Sequence, residues 1–198
     1  MLKALGEKAS DRKRRLYACA CCRRWPSVFS SERDREALAT VERFVDGLAT
    51  RAELRIARRR ATAPVARAAD SAAVFASEAA GPVCVAVAGN AHGDRMHPKG
   101  QGDFDAAVAG ERVAQAILVR DIFGNPFRSI AFAWQWRTDT AVALAAQMYE
   151  LRDFGAMPIL ADALQDAGCD NPEILAHCRD EGATHVRGCW VVDLVLGK

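Results

Sequence analysis

Aromatic residues are scarce in this chain, at 7% of 198 positions, and no apolar run approaches the roughly 18 residues a membrane helix needs. The first excludes an aromatic-rich β-sandwich core, and the second a helical membrane span. Net charge is nearly absent too, at +2, so the whole chain is no strongly basic nucleic-acid protein. The opening "MLKALGEKASDRKRR" has no apolar core of signal-peptide length. Seven cysteines is an odd number, which argues against a disulfide framework and for reduced thiols. A cytoplasmic location is therefore expected, with no membrane partner. There is no nucleophile elbow, phosphate loop, HExxH or paired-carboxylate arrangement, so no established catalytic motif announces itself.

What is present is alanine, with few β-branched residues, a composition that favours closely packed helices over sheet. The length suits one domain with a real core, and a single helical domain over 1–198 is expected. Within it, 1–80 reads as basic, alanine-rich helices, 89–103 as a loop and 104–198 as a second helical half. The fold class expected is all-α: an irregular bundle of antiparallel helical hairpins, stacked in the manner of an α-solenoid toward the C-terminus.

Local signals place the helices. Ser10 or Asp11 starts the first, which runs to about Arg24. Ser30 or Ser31 caps the second, with Leu38, Val41, Val45 and Leu48 at helical spacing. Thr50 and Glu53 form a capping box for a third, which Pro64 should kink or split. "VCVAVA" is a strand or a buried turn, and the helical or irregular reading is preferred because a lone strand lacks a partner. A helix from about Phe104 to Phe123 should turn Val108, Val113, Ile117 and Leu118 inward. Thr138 or Asp139 caps the next, with Val142, Leu144, Ala145, Met148 and Leu151 inward. Pro158 suits a first turn, and "NPEILAHC" makes a short helix.

Two groups of segments carry a family resemblance. "GEKASDRKRRLYACACCRRW" and "ERFVDGLATRAEL" are similar to the front of a group of planctomycete bacterial proteins. "LVRDIFGNPFRSIAF", "MPILADALQDAGC" and "ILAHCR…HVRGCWVVDLVLGK" resemble that group's C-terminal half. The resemblance covers about 7–60 and 115–198. It implies a longer leader in relatives than the one seen here, and an interaction role through neighbouring leucine-rich-repeat companions. It carries over no activity, ligand or catalytic residue.

Candidate chemistry gathers in three places. Cys169, His177, Cys178, His185 and Cys189 supply the thiol and imidazole groups from which zinc takes four ligands. His185 and Cys189, four apart, share a face if the last helix begins by His185. The competing reading makes the cysteines small apolar core residues and the histidines caps, and it is preferred, so no cofactor is expected, with zinc as the alternative. Cys19, Cys21 and Cys22 in "CACC" read the same way, as packing rather than redox or metal chemistry. "HGDRMH" offers His92, Asp94 and His97 in a solvated loop. Residues 1–60 hold 16 basic and 8 acidic side chains. Arg12, Arg15 and Arg23 are expected, with Lys13, along the exposed side of the first helix, and Arg55, Arg58, Arg59 and Arg60 on the third. Such side chains suit phosphate contacts. By elimination the function expected is a non-catalytic helical module that binds an unidentified protein. The alternatives are a nucleic-acid-associated protein using Arg12, Arg15, Arg23, Arg55, Arg58 and Arg59, and a zinc-stabilised domain or metalloenzyme.

Overall fold

In a computed structural model the described residues are 9–26, 31–61, 100–128 and 130–198, with the side chains of 100–103 excluded. Pro64, "VCVAVA", Cys84, His92, Asp94 and His97 lie outside them. The described residues are all-helical, with no strand. The chain gathers into two compact units, residues 1–119 and 120–198.

In the first unit, α1 (Asp11–Arg23) starts where Ser10 accepts from the Lys13 amide, and α2 (Glu32–Val45) where Ser31 accepts from Asp34. The Thr50–Glu53 capping box opens α3 (Arg51–Arg60) as its residues require. α1 packs on α2, and α2 on α3. Leu16 through Cys22 are all buried, so α1 is enclosed on nearly every side. Of the arginines expected along its exposed side, Arg12 and Arg15 are half-buried, while Arg23 is exposed. Arg12 pairs with Asp46 at 3.4 Å, Arg15 lies over the Phe44 ring, and Arg23 donates twice to Glu42 at 2.7 and 2.8 Å. α2 ends at Val45, and Gly47 at φ +74 carries the chain away. Leu48 therefore falls beyond the helix and is exposed.

Helix α4 (Gly100–Phe123) begins earlier than the loop reading of 89–103 allowed. Its buried side also differs from the expected one: Val113 and Ile117 are exposed, while Glu111, Gln115, Leu118 and Ile122 are buried. The reason is polar pairing. Glu111 accepts from Arg24 at 3.1 Å and from Gln115 at 2.9 Å, and Gln115 meets Tyr17. Those bonds hold two polar residues on the inner stripe, and a helix cannot also turn in the valine and isoleucine a third of a turn or more away.

The second unit opens with the last turn of α4. A 3-10 turn (Trp134–Trp136) leads to α5 (Asp139–Leu151), capped by Thr138 onto the Ala141 amide. α6 (Met157–Asp166) has Pro158 in its first turn, and Asn171 accepts from Glu173 and Ile174 to start α7 (Pro172–Arg179). α8 (Trp190–Leu196) closes the described chain. α5 contacts α6 and α8, and α6 contacts α7. Their shared core includes Ala145, Met148, Leu160, Leu164, Ile174, Val192 and Val195. Leu151, expected inward, is exposed beyond this core, and Tyr149 is buried in it. Gly124, at φ +57, is a position where a side chain would meet Trp190 at 3.0 Å. Its missing Cβ lets the Trp190 ring close on the end of α4.

Candidate metal centre

Four donor-bearing side chains converge in the second unit: Asp121, His177, His185 and Cys189, one ligand atom of each lying within 4.8 Å of all the others. Three pieces of backbone bring them together. Asp121 sits in the last turn of α4, His177 in the last turn of α7, and His185 and Cys189 in the loop ahead of α8. The last helix begins at Trp190 and not near His185, so that pair converges through the loop, not along a helix face. Gly188 at φ +98 makes the bend that brings Cys189 round.

The geometry is close-knit. His185 Nδ1 lies 2.8 Å from Asp121 Oδ1, and His177 Nε2 lies 3.3 Å from the same oxygen. Cys189 Sγ is 3.2 Å from His177 Nε2 and 3.9 Å from His185 Nδ1. The other oxygen, Asp121 Oδ2, accepts from the Val186 amide at 2.9 Å, which fixes the carboxylate and leaves Oδ1 turned inward. A tetrahedral zinc with bonds of about 2.0–2.3 Å holds its donors roughly 3.3–3.8 Å apart. Four of the six separations lie at 2.8–3.9 Å, around that interval, and all six are within 4.8 Å.

The surroundings are dry. Asp121 is 3% exposed and Cys189 fully buried, and the side chains of His177 and His185 are 18% and 6% exposed. Burial alone would raise the Asp121 carboxyl. Hydrogen bonds from His177, His185 and the Val186 amide outweigh it, and the group is held below the ordinary aspartate range. Burial, reinforced by the Asp121 charge, pushes the Cys189 thiol well above the usual thiol range. The other ring nitrogen, His185 Nε2, is buried with no hydrogen-bond partner among the described residues. His185 also forms one wall of a cleft of about 600 Å³ lined by Phe154, Met157, Cys178, Asp180 and Thr184, which leads from solvent to the edge of the centre.

Of the five residues singled out in the sequence, His177, His185 and Cys189 meet here and Cys169 and Cys178 do not; all three cysteines also belong to the buried apolar core. Burial pushes the Cys178 thiol up to about 12. Cys19, Cys21 and Cys22 are free and buried in α1. Asp121 went unseen in the sequence. Its neighbours Leu118, Val119, Ile122 and Phe123 are all buried, but nothing in the sequence distinguishes this aspartate from others at helix ends.

An aspartate, two histidines and a cysteine form an N2OS donor set of the kind borderline-soft divalent metals take. The class this defines is an all-helical protein with a buried mixed-donor centre. No protein-family model, curated protein or solved structure matches the chain.

Proposed function

We propose that the chain is a non-catalytic helical module whose C-terminal unit is organised by one zinc ion held by Asp121, His177, His185 and Cys189. The single observation that carries this reading is the convergence of four donor atoms, two from buried and two from half-buried residues, within 4.8 Å of one another. The Asp121 carboxylate is 3% exposed, and a buried carboxylate is costly unless something positive compensates it. One divalent ion would do so and take the thiol and imidazoles as further ligands. Catalytic zinc sites keep a position open for water, whereas structural ones fill all four with protein. Four protein donors, none of them exposed, support a structural role. The ion would join the end of α4, the end of α7 and the loop before α8, which are up to 68 residues apart in sequence.

The test is elemental analysis of the full chain purified without chelator, followed by replacement of the bound ion with cobalt. One equivalent of metal and a tetrahedral cobalt spectrum with a thiolate charge-transfer band are expected, the band vanishing in Cys189→Ser. Less than about a tenth of an equivalent after incubation with excess zinc would end the proposal.

A further inference from the structure

The arginines of the first unit divide into two sets that the sequence presents alike. On α1 they are used internally: Arg12 on Asp46, Arg15 over Phe44, Arg23 on Glu42, and Arg14 on the Ala9 carbonyl at 3.1 Å. On α3 the positions are different. Arg51, Arg55, Arg58, Arg59 and Arg60 are all exposed, and Leu54 alone of the ten residues is buried. Arg51, Arg55 and Arg59 recur every fourth residue, so they form one stripe about 12 Å long with neighbours about 6 Å apart along the axis. Arg58 flanks it. The helix's only carboxylate, Glu53, lies on another face and is committed to the Thr50 cap, where its hydrogen bonds to Thr50 hold its carboxyl below the usual range. Nothing acidic within α3 neutralises the stripe.

We infer that the Arg51–Arg55–Arg59 face of α3 is a docking surface for the phosphate backbone of a double-stranded nucleic acid, bound without sequence preference. The argument is charge complementarity at a matching scale. A row of guanidinium groups on a rigid helix faces a duplex carrying one negative charge per about 1.7 Å of axis, and guanidinium forks suit phosphate oxygens. Single strands are held largely by stacking on aromatic rings, and α3 has no aromatic residue. An anionic membrane needs a broad apolar face beside the charges. α3 offers only Ile56 as a large exposed apolar side chain. The surface belongs to the first unit and does not depend on the metal centre.

The experiment is fluorescence anisotropy of a labelled duplex, run as DNA and as RNA, with the full chain. With three phosphates neutralised, the logarithm of the binding constant should fall with the logarithm of salt concentration at a slope of about −3, some 40-fold between about 50 and 200 mM. Replacing Arg51, Arg55 and Arg59 together by Gln should weaken binding at least about tenfold and flatten the slope toward zero, while the melting curve stays unchanged. Arg12→Gln, which removes the same kind of charge from α1, should leave the slope as it was. Absence of salt-sensitive binding, a triple variant that binds as well as the parent, or stronger partition onto phosphatidylserine vesicles than onto either duplex would each overturn the inference.

Discussion

The two units treat their buried carboxylates differently. In residues 1–119, Glu42 and Glu111 are each 2% exposed, and each faces an arginine, Arg23 or Arg24, whose other side still reaches water. In residues 120–198, Asp121 is buried to the same degree. No arginine or lysine stands within ion-pair distance of it among the described residues. Two imidazoles, a thiol and one backbone amide surround it instead. A buried charge demands compensation in either case. The first unit brings its cation as a side chain, and the second leaves a place for one to arrive from solution.

The largest expected effect comes from breaking that contrast at Asp121. Asp121→Ala removes the one permanent negative charge of the centre, so metal content should drop to background. Stability should fall by about 3–5 kcal/mol, the range for stripping one partner from a buried charged cluster. Replacing Glu42 and Arg23 together by Leu and Met should change stability little, because a buried ion pair and a well-packed apolar pair are of similar value. Urea unfolding of both variants beside the parent measures the difference. An Asp121→Ala protein that unfolds with the parent would remove the distinction between the units.

A second expectation concerns protons. The Cys189 thiol, raised by burial and the Asp121 charge, holds its proton at neutral pH in the metal-free protein and must lose it to ligate. Metal affinity should therefore climb with pH, by about tenfold per unit for one proton released between about pH 7 and 8. In free-energy terms that is about 1.4 kcal/mol per unit. Competition against a chelator of known affinity at several pH values reads it directly. A flat metal-affinity profile would mean that Cys189 is not a ligand.

How much of this was legible in the sequence follows from the range of the forces involved. The caps at Ser10, Ser31, Thr50 and Thr138 and the first-turn Pro158 could be read because each acts within three residues of itself. The all-helical class followed from composition and spacing. The inward face of α4 was misread because Glu111 and Gln115 are fastened there by Arg24 and Tyr17, some 90 residues away. His177, His185 and Cys189 stood out as chemically distinctive residues close in sequence. Asp121 could not, since its partners lie at least 56 positions on, and aspartate at a helix end is ordinary until burial makes it otherwise. The arginines of α1 and α3 look alike in the sequence, and only tertiary packing half-buries Arg12 and Arg15 while Arg51, Arg55 and Arg59 stay exposed.

The smallest effect sharpens the boundary of the centre itself. Cys178 follows His177 in the chain, yet the two side chains leave α7 about 100° apart, and Cys178 enters the core with Ile174 while His177 turns to Asp121. Cys178→Ala should therefore cost only the packing of one sulfur atom, about 1 kcal/mol in the range of small core truncations, and leave the metal content at one equivalent. Cys189→Ala removes an atom of the same kind from a site equally buried, and should abolish the cobalt charge-transfer band as well as lower stability. Side-by-side thermal melts and metal analysis of the two alanine variants compare like with like. If both lose metal, the thiol of α7 belongs to the centre and the donor set is larger than four. If neither does, the sulfur next to Trp190 is packing alone, and the helix end carrying Asp121 must be held by its imidazole hydrogen bonds without an ion.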